Sequence, residues 1–300
     1  MSSCWRLHSH DRCEAVAAFI GPLTSTPTMN LISLAELSPE DIRTIWRIAA
    51  APAVPLSGTV AWSFEGNGIR TRTTFIQAFR ELGLAFTELP NLLKTGERAC
   101  DLAGYLDPFY DMYVVRESNH ARLAEFAAAS QRPVINAMSS AGHPCEVLTD
   151  AYYVDTALAP LERARICLWG PPTNVLRSWH ELAKVLSLSL VHVCETRSQE
   201  ALLYVTFSEA PPASADIVIT DAWPNGTDAT GWSLSKQHLA QMGNPKLLPT
   251  PPFTIGCELD FDPTAYAGFV GYGQKELLLP VQKAILRFAA ADHLPRFNKA

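Results

Sequence analysis

The chain has 300 residues, 24 basic and 30 acidic side chains for a formal charge of −6, and 48% hydrophobic against 18% charged residues. That length suits two domains with full cores, and the composition excludes a disordered chain. The acidic balance argues against nucleic acid or an anionic membrane surface as the main partner.

Residues 1–28 are rich in Ser, Thr and His and end in Ser25-Thr26-Pro27-Thr28, so they read as an N-terminal extension ahead of Met29. Ser38-Pro39-Glu40-Asp41 is a helix start: a Ser cap, Pro at the first helical position and acids in the first turn. Apolar β-rich runs then alternate with helical stretches. Strands are expected at 59–64, 85–89, 112–116 and 134–137, and helices at 72–82, 99–106, 120–129 and 146–153. The rhythm repeats with strands at 165–170, 190–194, 202–207 and 216–221 and helices at 174–186, 235–242 and 279–291. Strands separated by helices in this way predict an α/β protein with parallel sheets, and a boundary near residue 150 predicts two doubly wound domains. Ligands in such sheets bind outside the carboxyl ends of the strands. The loops to inspect therefore follow Phe64, Arg116, Ala137, Gly170 and Asp221.

The seven cysteines are widely spaced and form no CxxC pair. They suggest neither a zinc site nor a disulfide framework, so no metal is expected. No apolar run is long enough to span a bilayer. A reducing cytoplasm is the expected location, no membrane partner is expected, and the low charge favours an oligomer.

The richest loop runs Phe64-Glu65-Gly66-Asn67-Gly68-Ile69-Arg70-Thr71-Arg72-Thr73-Thr74-Phe75. Free amides at a helix N-terminus beside two guanidinium groups make an anion site, with phosphate the obvious candidate; a solvated helix start with surface arginines is an even rival. The second loop, Gly142-His143-Pro144-Cys145-Glu146, sets a histidine at a strand-to-helix turn, where it suits an acid, a base or a donor to a carbonyl oxygen. Taken alone, a turn histidine without chemistry is the commoner case. Cys145 has no evident base and is a weaker nucleophile candidate. The third loop, Trp169-Gly170-Pro171-Pro172, lacks GxGxxG, and its prolines remove two donors that a pyrophosphate needs, which argues against a dinucleotide. Arg116 at a strand end either lines a cleft or pairs with an acid such as Glu117. Asp221 closes the strand after Ile217 and has the same two readings.

Together these loops resemble the aspartate/ornithine carbamoyltransferase family, nearer its ornithine branch. Phe64-Glu65 through Arg70-Thr71-Arg72 and Phe75 is similar to that family's F-E-x-S-[ST]-T-R-T-R-x-S-F. Gly96-Glu97, Asp101 and Ala103 resemble its next loop and helix. Val134-Ile135-Asn136-Ala137 through His143-Pro144-Cys145-Glu146 resembles V-I-N-A…H-P-C-Q. Asn174-Val175, the run from Ala215 to Trp223, Gln274-x-Glu276 and Val281-Gln282-Lys283-Ala284 continue the match in order to about Ala290.

The resemblance implies two α/β domains flanking a cleft, with the last helix returning to the first domain. The boundaries it implies are 29–148 with 275–300 for the donor half and 149–274 for the acceptor half. It implies a homotrimer that needs no cofactor, in which a loop near Lys94, Thr95 and Gly96 reaches a neighbouring subunit. The implied reaction transfers a carbamoyl group from carbamoyl phosphate to the amine of a small amino-acid-like acceptor. Arg70, Thr71 and Arg72 would hold the donor's phosphate, with Gly68 and Ile69 also in the donor-binding loop. Arg116 and His143 would face its carbonyl oxygen and Glu146 its amino group, while Asn174 and Asp221 would hold the acceptor. Arg70, Arg116 and His143 are the expected catalytic residues.

Departures fall at functional positions. Gly68-Ile69 replaces Ser-Thr, Glu146 replaces Gln, and Pro249-Thr250-Pro251-Pro252 replaces H-C-L-P. Pro224-Asn225-Gly226 stands at S-M-G, and Leu278 at the arginine of Q-x-E-N-R. They suggest a non-housekeeping acceptor, a different donor, or a member that binds a metabolite or partner without catalysis.

Overall fold

The computed structural model describes residues 29–291 except 225 and 227–230. The expected extension at 1–28, Asn225 and the chain beyond 291 lie outside the described residues.

The first helix, α1 (Pro39–Ala50), begins on a capping box in which Ser38 and Asp41 satisfy each other's backbone amides. Its apolar stripe of Ile42, Ile45 and Trp46 is buried, and the Trp46 indole donates to the Leu148 carbonyl (3.1 Å). Four strands follow with their helices: β1 (Thr59–Phe64), α2 (Ile69–Leu82), β2 (Ala85–Glu88), α3 (Ala99–Leu106), β3 (Met112–Glu117), α4 (His120–Ala129) and β4 (Val134–Ser139). They form a parallel sheet in the order β2-β1-β3-β4. Trp62 on β1 anchors its core, stacked on Phe64 at 4.5 Å between centroids and edge-on to Phe79 at 5.4 Å.

The helix α5 (Pro144–Tyr153) leads to the second half. There β5 (Ile166–Trp169), α6 (Asn174–Leu186), β6 (Leu190–Val193), β7 (Val205–Ser208), β8 (Ile217–Thr220), α7 (Lys236–Gln241) and β9 (Lys246–Pro249) build a second parallel sheet, ordered β7-β6-β5-β8-β9. A short helix, α8 (Gly271–Glu276), precedes the closing helix α9 (Leu278–Ala291). That helix packs back on α1 and α2 of the first domain. The expected architecture is therefore the one found: two doubly wound parallel-sheet α/β domains with a returning C-terminal helix.

Each sheet reverses its strand order once, between β1 and β3 and between β5 and β8. Those crevices are where open parallel sheets take ligands, and both open on one cleft. The buried helix α5 lies between them: all of Pro144–Ala151 is inaccessible, because the helix packs on β4, α6, α8 and α9 at once.

Several boundaries differ from expectation. Helix α2 starts at Ile69 rather than Arg72, because Gly68 takes a left-handed conformation (φ 36°, ψ 37°) and caps it. Helix α5 starts at Pro144, two residues early, and β4 runs on to Ser139. Strand β9 and helix α8 had no expectation; β9 is four residues that follow Pro245 and end on Pro249, too short for a period to be read.

Candidate active site

At the carboxyl ends of the strands lies a cavity of about 400 Å³. Gly68, Ile69, Arg70 and Thr71 line it from the loop after β1 and the first turn of α2. Arg116 enters from β3, and His143 and Glu146 from the head of α5. The second domain contributes Asn174, Asp221 and the segment Thr250-Pro251-Pro252. Of the residues expected to hold the donor or the acceptor, only Arg72 is not a lining residue. It pairs with Glu88 (2.5 Å) and lies 5.5 Å from the Phe64 ring centroid.

The first turn of α2 offers the groups that an anion site needs. The Arg72 amide is the first to bond within the helix, to the Gly68 carbonyl (2.9 Å). The preceding amides of Ile69, Arg70 and Thr71 are left without intrahelical partners at the positive end of the dipole. Arg70 and Arg116 add two guanidinium groups. Burial lowers the pKa of Arg116, and the like charge of Arg70 lowers it further. Two cations facing one another across a cavity favour an anion between them. Arg116 does not pair with Glu117. That acid is buried and holds Lys94 (2.6 Å), which also meets Glu65 at 3.2 Å. Arg116 instead lies over Phe64, 5.5 Å from the ring centroid.

His143 caps α5, and its backbone amide donates to the Ser178 hydroxyl (2.9 Å). Burial pulls its imidazole down to about 4, against the opposing charge of Glu146. It is neutral near pH 7, and its Nδ1 is buried without a partner among the described residues. A neutral imidazole here is a donor or acceptor to a ligand rather than a charge. Cys145 is fully buried and its thiol is pushed far up by desolvation, which removes it as a nucleophile.

Glu146 is buried, and its carboxylate is paired with the Lys275 ammonium from α8. Sequence reasoning had passed over Lys275, the unspecified position in Gln274-x-Glu276; the only signal was a cation one turn before Leu278. The Asn174 amide donates to the Ser139 carbonyl (2.7 Å), tying the head of α6 to β4. Asp221 is raised to about 7 by burial, against stabilising bonds from Thr173 and the Ala222 amide. Among the described residues no His/Cys/Asp/Glu group suited to a metal ion occurs, and no helix is long and apolar enough to cross a membrane.

Residues 29–156 match the model of the aspartate/ornithine carbamoyltransferase carbamoyl-P binding domain. An ornithine carbamoyltransferase of Sorangium cellulosum is 30% identical over 260 residues, covering 76% of this chain and 83% of that protein. The chain belongs to the aspartate/ornithine carbamoyltransferase family. Another family member, an ornithine carbamoyltransferase of Bradyrhizobium diazoefficiens, is 32% identical over 200 residues, a match covering 61% of this chain and 65% of that protein's length. In fold, the chain superposes on ornithine carbamoyltransferase from Thermus thermophilus with a TM-score of 0.79 at 22% identity, covering 88% of this chain and 99% of that one. The anabolic enzyme from Campylobacter jejuni gives 0.78 at 24%, with 87% and 98% covered.

Proposed function

We propose that the protein transfers a carbamoyl group from carbamoyl phosphate to the amine of a small, ornithine-like acceptor. One observation carries this reading: Arg70, Arg116, neutral His143, Glu146 and Asp221 line a single cavity beside the open first turn of α2.

In this reading the donor's phosphate rests on the Ile69, Arg70 and Thr71 amides and the Arg70 guanidinium. Its carbonyl oxygen faces Arg116 and His143. As the acceptor amine attacks the carbonyl carbon, that oxygen gains negative charge. The C–O bond to phosphate then breaks, and inorganic phosphate leaves with the electron pair. Donors already aimed at the developing charge need no reorganisation, and one of them is worth roughly 3 kcal/mol of barrier. Glu146 accepts from the carbamoyl N–H groups, and Asp221 holds the acceptor's ammonium. The attacking amine must be neutral, and the leaving phosphate takes its proton.

Residues 29–148 with 275–300 form the donor half of this scheme and 149–274 the acceptor half. Homologous association as a trimer and a cytoplasmic location belong to the same proposal. The pairing of Glu146 with Lys275 supports a neutral carbamoyl amide over a cationic amidino donor, since the carboxylate already has its counter-ion.

The test is a thermal-shift titration with carbamoyl phosphate against inorganic phosphate, followed by an assay of ureido product with ornithine and related diamino acids. A ligand specific to the native state raises stability by RT ln(1 + [L]/Kd). A larger shift with carbamoyl phosphate than with phosphate is expected. Equal shifts would remove carbamoyl phosphate as the donor.

A further inference from the structure

The pair formed by Glu146 and Lys275 joins residues 129 apart in sequence. Glu146 stands on α5 and is 5% exposed; Lys275 comes from α8 with its side chain 21% exposed, and both line the cavity. The Glu146 Oε1 also accepts from the Gln274 amide (3.4 Å). The same Gln274 nitrogen bonds Asp150, one turn further along α5. Two acids and one cation therefore share a buried corner. The charged and titratable groups around Glu146 are Lys275 from α8, His143, Cys145 and Asp150 on its own helix and Asp221 after β8, with Arg116 from β3 acting on His143.

The corner holds its charge on Glu146. Burial raises the Asp150 carboxyl well above its ordinary value, and the Glu146 charge raises it further. Burial also opposes the charge on Glu146, but the Lys275 ammonium overcomes it and holds that carboxyl below its ordinary value. A lone carboxylate here would repel an anion bound at Arg70 and Arg116, and a lone ammonium would attract one without regard to the rest of the molecule. Paired, they present a neutral unit whose free oxygen still accepts N–H.

We propose that Lys275 is a positioning residue for donor selection: by fixing Glu146 as a paired carboxylate, it makes the site prefer an acyl phosphate bearing an amide N–H over bare phosphate. This also joins two departures that look separate in sequence. Glutamate replaces the pattern's glutamine at 146, arginine is lost at Leu278, and a cation stands one turn before that position. The inference rests on the reading of carbamoyl phosphate as donor.

The experiment measures affinity for carbamoyl phosphate and for inorganic phosphate by calorimetry, from about pH 6 to about pH 8, in the wild type, Lys275→Arg, Lys275→Met, Glu146→Gln and the double variant Glu146→Gln/Lys275→Met. Each value is read as a ratio to wild type at the same pH, which cancels ligand ionisation. Lys275→Arg is expected within about threefold of wild type, since it keeps the charge. Lys275→Met is expected to lose ~10-fold or more for carbamoyl phosphate at the high-pH end and recover towards low pH as Glu146 takes a proton. Glu146→Gln is expected to bind inorganic phosphate more tightly and to discriminate less. The double variant is expected to return to within ~threefold of wild type with no pH dependence, a coupling of the kind double-mutant cycles detect.

Additive effects, or a Lys275→Met loss that is equal for both ligands and not rescued by Glu146→Gln, would overturn the proposal. If Lys275→Met does not fold, the comparison of wild type, Glu146→Gln and the double variant still decides it. Failure of the wild type itself to prefer carbamoyl phosphate would instead refute the donor reading.

Discussion

Gly68 leaves no room for a β-carbon beside Arg116: a Cβ built on it would lie 3.0 Å from the Arg116 Nη1 and 2.3 Å from the Phe64 Cε1. The backbone there is left-handed, which costs a non-glycine residue about 1–2 kcal/mol by itself. The loss of the family pattern's serine is thus tied to where Arg116 rests on Phe64. Gly68→Ser is expected to lower the melting temperature and to weaken phosphate binding by ~10-fold or more, because the guanidinium must move. Thermal melts and phosphate titration of the variant check this. Unchanged binding would show that Arg116 does not depend on the glycine.

Arg70 and Arg72 are two residues apart and do different things. Arg72 pairs with Glu88, whereas Arg70 lines the cavity with no acid paired to it among the described residues. Arg70→Met is expected to raise the KM for carbamoyl phosphate ~10- to 100-fold, the size of one charge-assisted hydrogen bond, with the melting temperature unchanged. Arg72→Met is expected to raise the KM by less and to lower the melting temperature only slightly, since its ion pair is partly exposed. Steady-state kinetics of the two variants distinguishes them.

His143 is neutral at working pH, with its imidazole held down at about 4. The pH profile of the reaction is therefore expected to show no His143 limb near pH 6.5. His143→Gln, which keeps an N–H donor, is expected to retain more activity than His143→Leu. Loss of one aimed donor lowers kcat by ~100-fold or more. Equal loss in both variants would argue against a hydrogen-bonding role.

Burial raises Asp221 to about 7. An acceptor ammonium binds its carboxylate, so the acceptor's KM is expected to fall as pH rises through about 7 and to lose that limb in Asp221→Asn. Binding should also release a proton, visible as a dependence of the calorimetric heat on buffer. For stability the sign is the reverse. From 3.8 up to about 7 the folded state keeps a proton that the unfolded chain has lost, so this group's contribution declines as pH rises.

Two further histidines make the second domain sensitive to acid. His180 and His192 share a hydrogen bond (2.9 Å), and His192 bonds the Gly170 carbonyl (2.7 Å). Burial, more than the mutual charge of the pair, pulls them to about 3 and about 4 from 6.5. Below 6.5 the unfolded chain binds protons that the folded pair refuses, so their contribution is intact above 6.5 and is lost as pH falls towards 4. A single histidine moved that far accounts for ~3 kcal/mol at the acid end. Denaturant melts at about pH 7.5 and about pH 5 should show the loss, and His192→Gln should shrink it.

Much of the site was legible because its chemistry is local. The amides and arginines around Gly68–Arg72 and the turn at His143 are each contiguous, and strand-to-helix turns in parallel sheets face the ligand side. The donors lost or gained elsewhere were not legible in that way. Arg116 had two readings in sequence, and Glu117 settled on Lys94 instead. Lys275 carried no motif at all.

The order of the strands and helices other than β9 and α8, and the cap at Ser38, were determined by the sequence itself, since periodicity and turn chemistry act over a few residues. Which charges meet was decided only by the tertiary structure. Glu146 and Lys275 stand 129 residues apart and come together because α9 returns to the first domain and sets α8 against α5. A side-chain pair of that separation is specified by topology, and whether a buried carboxylate is charged depends on the partner that topology brings to it.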